Sequence, residues 1–154
     1  MKEKIQIGER NIPIYKRIFW NLLNFWAWFL PWKKLRVLFH KLKGVKIGEK
    51  VEIGYMVFLD NRRPDLITIE KNVTITTYCI ILSHDLSRRH LYNEEVIGSV
   101  FIKEGAFIGV NSTIMPGVTI GENCIIGAGS VVTEDTSPNS VYVGSPAKKI
   151  KELN

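Results

Sequence analysis

Histidine and cysteine are scarce in this chain of 154 residues, which contains three of the first and two of the second. The sequence has no G-x-S-x-G nucleophile elbow, no phosphate-binding P-loop and no Cys-x-x-Cys pair. It therefore gives no support to a serine hydrolase of that type, a P-loop nucleotidase or a dithiol oxidoreductase.

Long apolar runs are missing as well. The apolar run at residues 18–30 has 13 residues, whereas a helix that crosses a bilayer needs about 20. The first residues are mixed and polar, without the short apolar core and small-residue cleavage site of a signal peptide. We therefore expect a cytoplasmic protein.

Charge is distributed unevenly along the chain. Residues 1–44 contain ten Lys and Arg against two Glu, a net charge of +8, together with all four tryptophans. Residues 45–154 carry a net charge of −2. The excess of basic residues is therefore a property of the N-terminal segment alone, and we expect no nucleic-acid partner.

A six-residue repeat dominates the rest of the chain. Residues 102–133 read IKEGAF, IGVNST, IMPGVT, IGENCI, IGAGSV and VT, with an aliphatic residue first and a small or β-branched residue fifth. Positions six apart lie on opposite sides of an α-helix, whereas a fixed six-residue period is typical of a parallel β-helix whose stacked coils bury one column. We predict a mainly β solenoid of roughly five coils. Cys79 and Cys124 take the small inward position, as buried free thiols that fit a reducing cytosol.

The N-terminal segment has helical periodicity instead. A helix is predicted over residues 12–30, with a narrow polar strip at Arg17, Asn21 and Asn24. Its apolar stripe consists of Ile14, Ile18, Leu22, Phe25 and Phe29, and is widened by Trp20, Leu23, Trp26 and Leu30. Pro31 breaks this helix, and a second amphipathic helix runs up to Gly44. Two roles are open for residues 1–44: a cap that packs on the coils or on sister subunits, and an interfacial membrane anchor.

The repeat is predicted to extend over residues 45–137, with a polar loop protruding at about residues 86–101 and a C-terminal cap over residues 138–154. An insertion of this kind leaves the solenoid at a corner, and loops on one face are often where function lies. The loop therefore directs attention to the residues beside it.

His84 is the last regular position before the loop. A neutral imidazole, with an ordinary pKa of about 6.5, is suited to accept a proton from a hydroxyl; the plainer alternative is a corner residue that binds water. Asp85 adjoins His84, but neighbours on a strand point to opposite faces, so no dyad is expected between them. Structural or solvated roles are expected for His40 and His90.

Three phrases resemble a known family. IGVNSTIMPGVTIGENCIIGAGSVVTEDTSPNSVYVGSPAKKIKEL resembles the C-terminal half of the hexapeptide-repeat acetyltransferases. SHD before a polar loop, followed by EGAFIG, resembles the galactoside and maltose acetyltransferases. LRVLFHKLKGVKIGEKVEIG resembles the opening of colanic-acid, capsule and O-antigen acetyltransferases. The resemblance implies a left-handed parallel β-helix, a homotrimer with active sites between subunits, acetyl-CoA as acyl donor and no metal.

The same resemblance implies roles for residues on the coenzyme side. Ala128 and Thr133 match positions that line the CoA channel. Lys148 and Lys151 match basic residues that face the CoA phosphates. Phe107 stands where the family commonly has Trp against the pantetheine arm.

On the acceptor side, the resemblance makes His84 the general base. Asp60 and Asn61 fall near the coil that supplies a ligand of the acceptor sugar. The implied function is acetyl transfer to a sugar hydroxyl of a cell-surface polysaccharide or its lipid-linked precursor, with the enzyme at the inner face of the membrane. A chain beginning near Gly44 is then expected to stay soluble and to keep activity on a small soluble acceptor if its trimer survives. If residues 1–44 are instead a cap, their deletion is expected to expose the first coil and cause aggregation.

Three alternatives stay open. An antibiotic acetyltransferase of the same fold would act on a soluble drug and leave the basic, Trp-rich segment without a role. A γ-class carbonic anhydrase needs three His on zinc, and here only His84 and His90 are near each other in sequence. A non-catalytic solenoid that binds partners would not need Lys148 and Lys151.

Overall fold

Short parallel strands make up much of the chain in the computed structural model, which describes residues 2–6 and 13–153. The helices in the described residues are α1 (Ile14–Phe29), α2 (Lys33–Leu42) and α3 (Arg89–Tyr92). The strands are β1 (Lys2–Gln6), β2 (Lys46–Ile47), β3 (Glu52–Ile53), β4 (Phe58–Leu59), β5 (Ile67–Ile69), β6 (Thr74–Ile75), β7 (Ile80–Ile81), β8 (His84–Asp85), β9 (Glu94–Gly98), β10 (Val100–Ile102), β11 (Phe107–Ile108), β12 (Thr113–Ile114), β13 (Thr119–Ile120), β14 (Ile125–Ile126), β15 (Val131–Val132), β16 (Ser140–Gly144) and β17 (Ala147–Glu152).

Three parallel sheets hold the repeat, and successive strands visit them in turn. The first sheet contains β2, β5, β10 and β13; the third contains β4, β7, β12 and β15. The second contains β3, β6, β11, β14 and β16, with β17 added antiparallel at its edge. Each circuit of three strands therefore adds one strand to every sheet, and β16 follows four complete circuits. We call residues 46–144 the three-sheet body.

The core of the body is the column that the repeat predicts. The aliphatic residues that open the sixes are at most 1% exposed: Ile102, Ile108, Ile114, Ile120, Ile126 and Val132. The residues in the fifth place are equally buried: Ala106, Ser112, Val118, Cys124 and Ser130. Each buried Ile contributes roughly 1.5–3 kcal/mol relative to an exposed one. The inward prediction for both positions is confirmed, and Cys79 and Cys124 are buried free thiols.

The polar insertion begins and ends about two residues earlier than the predicted loop. It contains β8, α3 and β9, and β9 pairs antiparallel with β8 and with the N-terminal strand β1. Val100 already pairs with Ile67 of the preceding circuit. The repeat therefore resumes at Val100, because a strand in register with its neighbour gains a full set of ladder hydrogen bonds.

The two N-terminal helices bury several polar groups against the body and leave much of their apolar surface exposed. Asn24 of α1 and Arg36 of α2 are each 3% exposed, and His40 is fully buried rather than solvated. The five residues of the central stripe predicted for α1 are 52% to 71% exposed, whereas Leu23, at its edge, is 6% exposed. The face that packs inward is therefore centred on Leu23 and Asn24, beside the stripe that the amphipathic pattern suggests. The position Ile12 and the side chain of Arg17, both used in that prediction, lie outside the described residues.

Specific partners explain why polar groups face inward. Trp28 Nε1 donates to the carbonyl of Val57 at 2.9 Å, and Arg36 Nε donates to the carbonyl of Ile53 at 2.9 Å. The Arg36 guanidinium also lies 4.2 Å from the centre of the Tyr55 ring. A buried polar group that is hydrogen-bonded avoids most of its desolvation cost. These contacts fix both helices on the first circuits.

Candidate active site

The side chains of Asp60 and His84 meet at one corner of the body. Asp60 directly follows β4, and His84 begins β8, three residues after β7. Leu59 of β4 pairs with Ile81 of β7 in the parallel ladder, so the residues that follow the two strands are stacked. His84 Nδ1 lies 2.5 Å from Asp60 Oδ2.

Asp60 is held from several sides. Its Oδ2 also accepts hydrogen bonds from Ser83 N and Ser83 Oγ, both at 2.8 Å, and from His84 N at 3.0 Å. Its Oδ1 accepts from Arg62 N at 2.8 Å. Burial by itself would raise the pKa of this carboxyl, but the hydrogen bonds, that of His84 first, outweigh burial and hold the pKa below its ordinary value of 3.8. Asp60 is therefore ionised at neutral pH.

The ionised carboxylate determines how His84 can act. Because a carboxylate only accepts hydrogen bonds, Nδ1 of His84 carries the proton and Nε2 is left as a proton acceptor. The hydrogen bond to Asp60 raises the pKa of His84, burial opposes this, and the charges of Asp60 and Glu95 add to it. The His84 side chain is 22% exposed, so it can reach a solute while its orientation is fixed.

A second charged pair lies next to the imidazole. Arg62 Nη2 donates to Glu95 Oε2 at 2.8 Å, and the Glu95 side chain is only 5% exposed. Glu95 comes from β9 of the insertion, so the loop contributes to the site as well as bordering it. The Arg62 charge lowers the pKa of His84, against the larger effect of Asp60.

The two residues predicted to contact an acceptor sugar are engaged within the chain. Asp60 is 1% exposed, and its oxygens accept from Arg62, Ser83 and His84. Asn61 Oδ1 accepts from Asn24 of α1 at 2.7 Å. The structure thus does not offer the Asp60 carboxylate to a sugar, because protein donors occupy it; it serves instead as the partner of His84. Asp85, not expected to form a dyad, accepts hydrogen bonds from Ser87.

The residues predicted to bind CoA lie on two sides of the body. Thr133 directly follows β15 and is stacked on Met115 and Leu82, as the bonds from Leu82 N to Ile114 O and from Met115 N to Val132 O show. Leu82 precedes His84 by two residues, so Thr133 and His84 follow the same sheet, two circuits apart. Ala128 lies on the corner between the second and third sheets. A Cβ at Gly109 would come within 2.6 Å of the Ala128 backbone N, so only glycine lets the two circuits approach this closely.

The remaining coenzyme candidates belong to the second sheet. Phe107 opens β11 and is 40% exposed. Lys148 and Lys151 lie exposed on β17. Lys148 is 3.8 Å from Glu134, and both side chains are more than two thirds exposed, so this pair is weak. One chain therefore brings Thr133 to the His84 corner but leaves Phe107 and the lysines on another side.

Residues 2–6 and 13–153 contain neither a metal-binding cluster nor a membrane-spanning helix. No group of three or more His, Cys, Asp or Glu is placed to hold a metal ion in that part of the chain. Within the same ranges, no helix is both long enough and apolar enough to cross a membrane.

Sequence reasoning assigned no role to Glu95, and it gave Asp60 a different one. The sequence did contain a signal for the role of Asp60. When the hexapeptide LDNRRP is aligned with ILSHDL one circuit later, Asp60 lies beneath Leu82, two residues before His84. Glu95 carries no comparable signal, because it lies in an insertion where the period is lost.

Comparisons with known proteins identify the repeat. The family described as bacterial transferase hexapeptide (six repeats) matches residues 99–134. The galactoside O-acetyltransferase of Escherichia coli (strain K12) is 39% identical over 90 residues, which are 58% of this chain and 43% of that protein.

Two solved structures extend the likeness. A maltose O-acetyltransferase from Clostridium difficile 630 superposes with a TM-score of 0.66 at 25% identity, covering 92% of this chain and 88% of that one. AntD, an N-acyltransferase from Bacillus cereus in complex with dTDP and 3-hydroxybutyryl-CoA, gives a TM-score of 0.59 at 26% identity, covering 70% and 65%.

The chain spans less than two thirds of the length of the first curated relatives that it matches, between 43% and 63%. The resemblance drawn from the sequence is confirmed over the part that they share. The units in residues 99–134 are thus hexapeptide repeats of the bacterial transferase family, and the chain is similar to acetyltransferases over most of its length.

Proposed function

We propose that this chain is an acetyl-CoA-dependent O-acetyltransferase that modifies a sugar hydroxyl, with His84 as general base. The observation that carries the proposal is the Asp60–His84 pair: a buried, ionised carboxylate holds Nδ1 at 2.5 Å and leaves Nε2 to accept a proton. The names of the relatives support the rest, since two of them transfer acetyl groups to sugar hydroxyls and the AntD complex contains an acyl-CoA.

In the proposed reaction, Nε2 of His84 takes the proton of the acceptor hydroxyl as its oxygen attacks the thioester carbon. The tetrahedral intermediate expels the CoA sulfur, which recovers the proton from His84. Asp60 keeps the imidazole in the correct tautomer and stabilises the imidazolium between the two steps. A positioned general base of this kind contributes roughly 10²–10⁴ to the rate.

We further propose that the three-sheet body is a left-handed parallel β-helix and that the active site forms between the subunits of a homotrimer. The distribution of the candidate residues supports the second point. His84 and Thr133 share one corner, whereas Phe107, Lys148 and Lys151 lie on another sheet. A second copy that presents its second sheet to the His84 corner of the first would complete a binding groove.

In this assembly, Ala128 and Thr133 line the CoA channel, Phe107 packs against the pantetheine arm, and Lys148 and Lys151 face the phosphates. The exposure of Phe107 and of both lysines supports these assignments, because a coenzyme contact needs a surface that the chain itself does not cover. Arg62 and Glu95, which border His84, are the groups nearest to the acceptor hydroxyl.

We propose that the acceptor is a cell-surface polysaccharide or its lipid-linked precursor and that the N-terminal helices contact an anionic lipid surface. The exposed face of α1 supports this contact, since it carries Phe19, Phe25, Trp26 and Phe29, each 50% to 57% exposed. The next helix, α2, has the exposed lysines Lys33, Lys34 and Lys41. Exposed aromatic rings together with basic residues are the composition that a membrane interface favours.

Release of the CoA thiol from acetyl-CoA tests the proposed activity. The full chain is incubated with acetyl-CoA and a panel of galactosides, maltose and a hydroxyl-bearing antibiotic, and the products are analysed by mass. Thiol release that depends on a sugar, with one acetyl group added to it, is the expected result. Acetylation of the antibiotic alone would favour the drug-modifying alternative, and no release with any hydroxyl acceptor would contradict the proposal.

A further inference from the structure

Two side chains of the N-terminal helices contact the strand end that carries Asp60. Lys43, directly after α2, donates from Nζ to the carbonyl of Leu59 at 2.8 Å and to Asn24 Oδ1 of α1 at 2.5 Å. Asn24 Nδ2 in turn donates to Asn61 Oδ1 at 2.7 Å. The residues immediately before and after Asp60 are therefore both tied to the helices.

These contacts are buried. Lys43 and Asn24 are each 3% exposed. Burial lowers the pKa of Lys43 to about 7, and the charge of Asp60 opposes that shift. An apolar side chain could serve a simple helix–sheet contact without the desolvation cost of an ammonium group. The buried lysine is therefore best explained by the two groups to which it donates, the Leu59 carbonyl and the Asn24 side chain.

We propose that Lys43 is a positioning residue for the Asp60–His84 pair. Together with Asn24, it holds residues 59–61 where the chain leaves β4, so that the Asp60 carboxylate meets His84 Nδ1 in one fixed place. The helices are then part of the active-site scaffold. A chain beginning at Gly44 lacks Lys43 and all of α1, so it should lose activity, contrary to the expectation from the sequence.

Several charged groups near the Asp60–His84 pair also act on the pKa of His84, and the test has to separate their effects from that of Lys43. His84 is next to Asp60, to Glu95 of β9 and to Arg62, while Lys43 is next to Asp60 and to His40 of α2. Arg62 is the cation that lowers the pKa of His84. Loss of Lys43 therefore acts on His84 mainly through the position of Asp60, and a displaced carboxylate lets the pKa of His84 fall.

The experiment follows the His84 ring by NMR titration in the full chain, without acyl donor or acceptor. In Lys43→Met, the His84 midpoint should fall by roughly 0.5–1 pH unit. Lys43→Arg keeps a cationic donor and should restore most of the shift. Lys33→Met is the control, because Lys33 is a cation of α2 that pairs with the exposed Glu52, away from the Asp60–His84 pair. Its midpoint should stay at the wild-type value.

Activity gives a second measurement that rests on the proposed function. In Lys43→Met, kcat for acetyl transfer should fall roughly ten- to a hundredfold, the cost of a small misplacement, with the KM for acetyl-CoA unchanged. A His84 midpoint in Lys43→Met that rises, or that matches the midpoint of Lys33→Met, would overturn the proposal. If Met at position 43 prevents folding, Asn24→Leu breaks the same tie and gives the same titration test. A titration shift in a protein without acetyl transfer would contradict the proposed function and leave this inference standing.

Discussion

Asp60 and His84 are 24 positions apart in the sequence, yet the Asp60 carboxylate is 2.5 Å from the His84 ring. The parallel pairing of β4 with β7 brings them together, since one circuit of the body returns the chain to the same corner. The pair is thus a product of the repeat, although neither residue occupies one of the two inward positions that define the repeating pattern.

The first prediction concerns this pair. In Asp60→Asn the charge that raises the pKa of His84 is lost, so the acidic limb of the kcat/KM profile should move to lower pH. Maximal kcat should nevertheless fall, by roughly 10²-fold or more, because the amide no longer enforces the productive tautomer. Asp85→Asn, which alters the adjacent carboxylate that bonds Ser87, is the control. If the acidic limb of the kcat/KM profile lies at the same pH in Asp60→Asn as in the wild type, Asp60 does not act through His84.

The second prediction concerns the coenzyme. Lys148→Glu combined with Lys151→Glu should raise the KM for acetyl-CoA and leave the KM for the acceptor unchanged, because exposed charges act on the phosphates additively and weakly one at a time. Lys149→Glu is a matched control on the same strand, since Lys149 pairs with Glu152. If the double variant keeps the wild-type KM for acetyl-CoA, the two lysines form a solvated tail.

The third prediction concerns stability in acid. Burial, followed by the charges of Lys43 and Arg36, lowers the pKa of His40 to about 3, and neither ring nitrogen has a hydrogen-bond partner among the described residues. Between about pH 3 and pH 6.5, His40 is therefore protonated in the unfolded chain and neutral in the folded chain. Stability is lost as pH falls from about 6.5 toward 3, by up to roughly 1.4 kcal/mol per pH unit.

His40→Leu should remove this dependence. Urea unfolding at about pH 5 and about pH 7.5 should then show a smaller difference in the free energy of unfolding than in the wild type. His90→Asn alters an exposed histidine of α3 and serves as the control. If the two pH values give the same difference in unfolding free energy in His40→Leu as in the wild type, then proton uptake by His40 on unfolding is not the cause of the lost stability.

The fourth prediction concerns the outward face of α1. Full-length protein should sediment with vesicles of anionic phospholipid, less with neutral ones, and should be released by high salt because salt screens the charge attraction. Phe25→Ser combined with Phe29→Ser should weaken sedimentation, whereas Leu91→Ser, at an 80% exposed site of α3, should not. Protein that ignores anionic vesicles at low salt would contradict the lipid contact and leave the face to a neighbouring subunit.

The sequence predicts the body well because its signal is local and repeated. Ile108 and Ile114 need only their own circuit and the next to be placed inward, and a period of six specifies both. The orientation of α1 could not be read in the same way. Its hydrophobic stripe predicts burial of residues that are in fact exposed, and only the partners of Asn24 and Arg36, which are distant in sequence, explain why these two polar side chains pack inward.

In the candidate site, too, a local sequence signal predicts one residue, whereas contacts between distant parts of the chain determine the others. His84 could be found from its place beside an interruption of the repeat. Its bond to Asp60 follows only when successive circuits are aligned in register, and the support from Lys43 depends on how a helix outside the repeat packs on the first circuits. These contacts depend on tertiary structure, so they cannot be predicted from any single stretch of sequence.

The central claim, that His84 is the general base, is tested most directly by turnover of His84→Asn. Thiol release from acetyl-CoA is measured with a sugar that the wild-type protein acetylates, with His90→Asn as the matched control and the oligomeric state checked for both. We predict that His84→Asn keeps its fold and its KM for acetyl-CoA and loses roughly 10²–10⁴ in kcat, while His90→Asn stays near the wild-type rate. Turnover of His84→Asn close to that of His90→Asn would contradict the account.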